Sequence, residues 1–477
     1  MVMEDLLAPL KPNPPARIGL FAIGLEAYWA QFPGLKERLE GYLGDIQRRL
    51  AATGDTIVSA GLVDTAPRAA EAGALFASSD LDLIFCHAAT YATSSQVLPV
   101  VQRSRVPVVV LNLQPAPRLD YETCTTGEWL ANCSACCVPE IANAFARSRV
   151  PFQVVSGMLH NDPDAEREIS EWRAAARAWR ALKTSRLGFL GHTYPGMLDM
   201  YSDFTMISAQ TGAHIEVLEM CDLDRCLRTT PPAEAESKLA LAREIFTLED
   251  CPEEDLRWAA QVAAALERLV REFDLQGLAY YYRGLDGNPY ERLAAGMILG
   301  NSLLTARGVP ASGEGDLKNL VAMKILDSLG AGGAFTELYA MDFIDQFVLV
   351  GHDGPGHLAL CSQKPVLRGL GLYHGKRGHG VSVEFSVRHG PVTLLAVTQT
   401  AEGSLKLITA EGESIPGPIL RIGNTNTRVR FPLPPAEFVN RWCQQAPTHH
   451  FALGAGRWSS VIAKFSRLCG LPLASVC

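Results

Sequence analysis

From its first residues to about residue 330, short apolar runs bounded by turn residues alternate with longer amphipathic stretches. An apolar run of strand length must be covered on both faces, and an amphipathic helix after each run supplies that cover. Arg17–Ile23 is the first such run and Leu35–Ala52 has helical periodicity. Asp82–Cys86 and Val106–Leu111 are further strands, each following a helix-like segment. Trp129–Ser148 and Asp164–Thr184 are predicted helices, with Phe152–Val155 a strand between them. Strands separated by helices pair in parallel, so this order predicts a doubly wound sheet.

A second series begins at Arg186–Leu190 and continues through strand candidates His214–Leu218 and Gly277–Tyr281. Helices over Ala233–Leu248 and Glu253–Glu272 lie between those two strands, and Glu291–Ala306 and Leu317–Leu329 are also helical. The break between the series falls near residues 182–186, where a charged helix gives way to a new strand. After about residue 332 short strands alternate with Gly/Pro turns: Phe347–Val350, Val381–Val387, Val392–Thr398, Leu405–Thr409, Ile419–Ile422 and Arg428–Phe431. Turns at intervals of about ten residues favour an antiparallel barrel or sandwich. The last thirty residues return to a helical pattern. The expected fold class is α/β: two Rossmann-like doubly wound domains, 1–183 and 184–331, then a C-terminal antiparallel β-barrel-type domain, 332–477, with a terminal helical segment.

Bulk composition narrows the function classes. A chain of 477 residues is long for a single core, which agrees with two or three domains. A net charge of −8 with no basic run argues against nucleic-acid binding. No stretch has the length of a membrane span, and acidic residues and prolines disrupt the N-terminal apolar segment, so a cytoplasmic protein is expected. The twelve cysteines are then most simply reduced and buried. Cys133, Cys136 and Cys137 form a CxxC with an adjoining thiol, a pattern that can bind zinc or cycle redox states. With no second CxxC or Cys/His pair near it, a structural role is the favoured reading.

The residues that could carry chemistry lie in the second half. Glu314 sits in Gly313-Glu314-Gly315-Asp316, Glu337 in Phe335-Thr336-Glu337-Leu338-Tyr339, His352 after the apolar run Phe347–Val350, and His449-His450 nearly a hundred residues later. Two carboxylates and two imidazoles form an N/O donor set suited to a divalent ion such as Mn²⁺, and carboxylates beside such an ion can move protons on a polarised substrate. Each residue has a blander reading. Glu314 and Asp316 suit a helix N-terminus, although flanking glycines also let the backbone approach a ligand. Glu337 fits an exposed edge strand, His352 a hydrogen-bonded structural position with His357 as an alternative ligand, and His449-His450 an ordinary surface. Adjacent residues usually point apart, which would let one of the two histidines bind metal and the other contact substrate. No dinucleotide fingerprint, Walker A sequence or GxSxG elbow is present.

In these residues the chain resembles the L-arabinose isomerase family, within the arabinose/fucose isomerase superfamily. The matching motifs are Gly313-Glu314-Gly315-Asp316, Phe335-x-Glu337-x-Tyr339, Gly351-His352 after an apolar strand, and Thr448-His449-His450. The resemblance implies a Mn²⁺-dependent aldose–ketose isomerase working through an enediol. By position it makes Glu314, Glu337, His352 and His450 the metal ligands, Glu314 and Glu337 the acid/base pair between C1 and C2, and His449 a substrate contact. It also implies a homo-oligomer, a hexamer, whose site is completed by a neighbouring subunit's N-terminal domain. Glu26 stands where the family has Gln in a sugar-contacting loop, and its charge would disfavour an anionic sugar. Gln114 is retained in a second loop, Asn112-Leu113-Gln114-Pro115-Ala116-Pro117, with Pro117 where a His is usual. Met197 is the best pocket candidate in Gly191–Met200, and Lys376 and His379 lie in a glycine-rich loop that could reach the sugar. The alternatives are an isomerase or epimerase of another aldose or a deoxy sugar such as L-fucose, and a non-catalytic sugar-binding protein.

Overall fold

The computed structural model describes residues 8–283, 288–370, 372–373, 376–377 and 380–477. They form two compact units: Pro14–Arg180 with Val461–Gly470, and the remainder, which joins Ala181–Ser460 to both chain ends.

In the unit that starts at Pro14, β1 (Arg17–Ile23), β2 (Thr56–Val63), β3 (Leu83–His87), β4 (Val108–Gln114) and β5 (Phe152–Met158) form one parallel sheet in the order β2-β1-β3-β4-β5. β3 is buried throughout, and β1 and β4 nearly so. The edge strands β2 and β5 are half-exposed, as expected when helices cover both faces of a parallel sheet. Helix Leu35–Ala51 turns Leu35, Leu39, Leu43, Ile46 and Leu50 inward at helical spacing. Thr65 starts helix Ala66–Ala77 by accepting the Arg68 N–H.

The helix expected over Trp129–Ser148 is instead two, Thr126–Ala131 and Val138–Arg147. Pro139 explains the break, because proline is tolerated in the first turn of a helix and not in its interior. The last thirty residues are not simply helical either. Helix Ser459–Cys469 lies between two short strands, and within this unit its Lys464 ammonium sits 2.6 Å from Glu171 and 3.1 Å from Glu168.

The other unit opens with β6 (Arg186–Gly191), β7 (His214–Leu218), β8 (Thr247–Glu249), β9 (Gly277–Tyr281) and β10 (Ala311–Ser312). All but β8 form a parallel sheet in the order β10-β9-β6-β7. β8 begins just after helix Pro232–Ile245, which therefore ends before the expected Leu248. The helix expected over Glu291–Ala306 divides at Gly296 into Pro289–Ala295 and Met297–Ala306. A Cβ at Gly296 would lie 2.8 Å from both Trp258 and Val262, so helix Glu253–Glu272 packs directly against this break.

The rest of the chain supplies β11 (Gly332–Asp342), β12 (Phe347–His352), β13 (Val366–Gly369), β14 (Leu372–Tyr373), β15 (Lys376–Arg377), β16 (Val381–Glu384), β17 (Gly390–Gln399), β18 (Leu405–Ile415), β19 (Thr425–Arg430), β20 (Phe451–Ala455) and β21 (Leu473–Ser475). Antiparallel pairing runs β17-β20-β11-β12-β19-β18, β17 also pairs with β18, and β21 adds to β18 in parallel. Thus parallel sheets flanked by helices precede a final antiparallel sheet. β11 pairs with β20 over Gly332–Thr336 and with β12 from Glu337 to Asp342, so Glu337 has a ladder partner on one side only. Ile419–Ile422 is not a strand. The Asn426 side chain accepts the Leu420 N–H and donates to the Leu420 carbonyl, taking the groups a ladder would use. Helix Leu317–Ser328 is buried from Leu317 to Leu326, and packs on both β11 and β20. It ties the end of the parallel sheet to the antiparallel one.

Candidate active site

The carboxyl end of the β10-β9-β6-β7 sheet is the edge at which ligands bind in such folds, and Glu314 follows directly on β10. Its backbone is left-handed, φ 56° and ψ 11°, a conformation that costs a non-glycine residue about 1–2 kcal/mol and recurs at functional sites. The neighbouring glycines answer a packing need. A Cβ on Gly313 would stand 2.7 Å from the Phe335 ring, and one on Gly315 would stand 2.5 Å from the His192 carbonyl. They let this turn fit between β6 and β11. The Tyr194 N–H to Glu314 carbonyl bond, 2.9 Å, fixes the same turn.

Five of the expected residues converge here, in two groups that share His450. Ligand atoms of Glu337, His352 and His450 lie within 4.8 Å of one another, as do those of Glu314, His449 and His450. His352 ends β12, and Glu337 lies opposite Gly351 across the β11–β12 pair, with its carboxylate 3.9 Å from His352 Nε2. His450 sits one residue before β20, its Nε2 3.0 Å from His352 Nε2 and 3.7 Å from Glu314 Oε2. The Phe335 ring packs on both imidazoles, at centroid distances of 4.0 Å and 4.6 Å. His449 and His450 do not point apart. They precede the strand, their ring centroids are 3.8 Å apart, and both face Glu314 Oε2.

Carboxylates orient each ring. His450 Nδ1 is 3.0 Å from Asp316 Oδ2, whose other oxygen accepts the Asn319 N–H and caps helix Leu317–Ser328. Asp316 thus serves the helix start, as the sequence suggested, and the histidine as well. His352 Nδ1 is 2.8 Å from Asp353 Oδ1, and His449 Nδ1 is 2.7 Å from Asp199 Oδ2, which also accepts the His449 backbone N–H. Lys318 secures the segment that carries Asp199, donating to the Tyr201 carbonyl and the Ser202 hydroxyl. With Nδ1–H given to a carboxylate, the Nε2 of a neutral ring presents a lone pair, and the 3.0 Å contact between His352 Nε2 and His450 Nε2 places a proton on one of the two.

Burial pulls the imidazoles down in pKa. His450 falls to about 4 despite Asp316. At His352 the hydrogen bond and charge of Asp353, with Glu337, outweigh burial and lift it to about 9. Burial also raises the Glu314 carboxyl, which His352 and His449 oppose. Glu314 Oε2 is buried with no hydrogen-bond partner among the described residues. An orphan carboxylate oxygen beside two converging imidazole nitrogens is a donor set that fits a divalent cation.

Met197 is half-buried at the start of the 3₁₀ turn Leu198–Met200, two residues before Asp199. Glu26 and Gln114 belong to the other unit, on the carboxyl edge of its sheet. Glu26 is exposed in the turn after β1, and Gln114 ends β4 with its amide donated to the Ala116 carbonyl. His379 lies outside the described residues, and the Lys376 side chain is not described. His357 does not join the cluster; it is buried with neither ring nitrogen partnered among the described residues. No metal-type cluster among the described residues includes a cysteine. Burial pushes the Cys133 thiol up to about 12 and the Cys137 thiol up to about 11, which agrees with structural thiols. Sequence reasoning missed Asp199, Asp353 and Lys318. Only Asp353 carried a signal, its place beside His352.

A fold of this kind around such a cluster puts the chain beside the sugar isomerases. No protein-family model matches it, but curated relatives do. The chain is 22% identical over 405 residues to a sulfoquinovose isomerase from Alkalicoccus urumqiensis, covering 84% of this chain and 87% of that one. It is 20% identical to a sulfoquinovose isomerase from Priestia megaterium, over 70% of this chain and 72% of the relative. An L-arabinose isomerase from Herpetosiphon aurantiacus is 23% identical, over 68% and 66%. The resemblance expected from the motifs holds at the level of the arabinose/fucose isomerase superfamily, and the expectation of a sugar-isomerase type of enzyme stands with it. No helix among the described residues is long and apolar enough to cross a membrane.

Proposed function

We propose that this protein is a metal-dependent aldose–ketose isomerase, with Glu314, Glu337, His352 and His450 holding one divalent ion such as Mn²⁺. The observation that carries the reading is the convergence of two carboxylates and two carboxylate-oriented imidazoles at the end of β10. When bound, the ion would lower the cost of negative charge developing on the oxygens at C1 and C2. The chain does the rest. One carboxylate of the Glu314/Glu337 pair takes the proton from C2 of the aldose as the C1 carbonyl becomes the enediol, and the pair returns a proton to C1 as C2 becomes the ketone. His449, held by Asp199, is the group that meets a sugar hydroxyl, and Met197 lies on the same segment. We take the parallel sheets as the Rossmann-like layers of such an enzyme, at 1–183 and 184–331, and the antiparallel strands from 332 as its barrel-type domain. Glu26 and Gln114 would act as sugar contacts in a homo-oligomer, a hexamer, lending this edge to a neighbouring subunit.

The names of the relatives support a monosaccharide substrate and leave two kinds open, a neutral aldose and one bearing a sulfonate. The test is ketose formation with Mn²⁺ from L-arabinose, D-galactose, L-fucose and sulfoquinovose. Ketose from at least one is expected. No ketose from any of them, with Mn²⁺ bound, overturns the proposal in favour of sugar binding without chemistry.

A further inference from the structure

The β11–β12 hairpin turns through Asp342-Phe343-Ile344-Asp345-Gln346. A tight turn calls for small or polar residues, and a stiff β-branched side chain is a poor choice for one. The turn itself therefore requires neither Phe343 nor Ile344, yet they are 61% and 92% exposed. The tip is also held in shape. Asp342 Oδ1 accepts the N–H groups of Ile344 and Asp345 at 2.9 Å and 2.8 Å, and the Gln346 amide donates to the Phe343 carbonyl at 2.7 Å. Two large apolar side chains are thus presented to water on a preorganised loop, which lowers the entropy cost of docking them.

The stem of the same hairpin forms one wall of a groove of about 310 Å³, lined by Met341, Phe347, Leu349, Ile419, Leu420 and Arg428 among others. Met341 and Leu420 are exposed as well, so tip and groove make a contiguous apolar face rather than scattered single residues. Phe, Met and Arg are also the residues that protein interfaces favour. The charges of tip and groove are opposite. Asp345 puts an exposed carboxylate on the tip. In the groove the Arg428 guanidinium lies 4.6 Å from the Phe347 ring centroid, and its Nε donates to the Pro418 carbonyl. Among the described residues neither Asp345 nor Arg428 is paired with an opposite charge. An anionic membrane would be repelled by Asp342 and Asp345, which flank the apolar pair. The tip of a second copy brings both complements that the groove lacks, apolar side chains and a carboxylate for Arg428.

We propose that this face joins two copies of the chain about a two-fold axis, the Phe343–Ile344 tip of each seated in the groove of the other, with Asp345 of each meeting Arg428 of the other. Tip and groove belong to one hairpin, so two hairpins laid antiparallel exchange both contacts at once and the interface closes. It is a different surface from the edge that carries Glu26 and Gln114, and it does not depend on the isomerase reading.

The test is the mass of the full chain by sedimentation over a range of concentrations, for wild type, Ile344→Asp, Leu420→Asp and an equimolar mixture of the two variants. Each variant is expected at half the wild-type mass, with association weakened by at least about tenfold, the effect of exposing one large apolar side chain. In the mixture one intact tip meets one intact groove, so part of the wild-type mass should return. Ile344 is almost fully exposed, so its variant folds and decides the matter if Leu420→Asp does not. A wild type that stays monomeric at every concentration overturns the proposal, as does an Ile344→Asp that associates like wild type. A mixture no heavier than its two components overturns the exchange of tips. Binding of phosphatidylserine vesicles by wild type that Ile344→Asp abolishes, without self-association, overturns it in favour of a membrane.

Discussion

Asp316→Asn isolates the role of ring orientation. Asp316 and His450 are both fully buried as side chains. One Asp316 oxygen caps helix Leu317–Ser328 through the Asn319 N–H at 3.0 Å, and the other receives His450 Nδ1–H at 3.0 Å. Asparagine caps a helix about as well as aspartate, so the cap survives and the fold should lose less than about 1 kcal/mol. The amide would present an N–H where the carboxylate had an acceptor. His450 must then offer its lone pair at Nδ1 and carry its proton at Nε2, pointing at His352 and Glu314. Nε2 in that tautomer cannot ligate. Loss of such an orienting partner costs about 10–100-fold in metal affinity, equivalent to about 1.4–2.7 kcal/mol. Asp316→Ala should add the loss of the cap, about 1 kcal/mol of stability. Mn²⁺ titration of stripped protein, followed by its paramagnetic signal, gives the affinity, and urea unfolding without metal gives the stability. If the Asn variant binds Mn²⁺ within about twofold of wild type, where at least tenfold is expected, and turns over normally, Asp316 does not set the tautomer of His450.

Gly313→Ala would place a Cβ 2.7 Å from the Phe335 ring, costing about 1–3 kcal/mol by overpacking and displacing the ring that seats His352 and His450. A lower melting temperature and weaker Mn²⁺ binding should appear together, and an unchanged affinity would refute the packing role of Phe335. His87 is fully buried, and burial holds it down to about 4 from the ordinary 6.5, the Leu113 backbone only partly opposing. The unfolded chain therefore takes up the proton first. Stability is complete above about pH 6.5 and is lost as pH falls toward about 4, by about 3 kcal/mol in all. Urea midpoints at pH 7 and pH 5 should show this slope in wild type and a shallower one in His87→Phe, and equal slopes would count against it. Glu26→Gln should raise turnover of a sulfonated aldose relative to a neutral one without changing Mn²⁺ content. An unchanged sugar profile would remove Glu26 from the pocket.

Elements with an unbroken apolar run or strong helical periodicity were legible in the sequence. Arg17–Ile23 and Glu253–Glu272 have the bounds their patterns indicate. β2 escaped because a half-exposed edge strand with Ser59, Ala60 and Gly61 has neither a clean apolar run nor alternation. β11 escaped because Gly332 and Gly333, both at positive φ, disguise its start as a loop. Ile419–Ile422 looks like a strand until Asn426 folds back on it. At the candidate site the ligand-type residues were visible by their chemistry, whereas the aspartates that orient them were not. Asp316 meets a histidine 134 residues away and Asp199 one 250 residues away, distances at which no local pattern operates.

The central claim is that one divalent ion, held by Glu314, Glu337, His352 and His450, serves isomerisation. The most direct measurement is ketose formation by metal-stripped protein during stepwise addition of Mn²⁺, in wild type, Glu314→Gln and Glu337→Gln. The account predicts no turnover at the start, a rise in proportion to bound Mn²⁺ up to one ion per subunit in wild type, and nearly none in either variant although both remain folded. Full turnover by the stripped protein, or by either Gln variant, would contradict it.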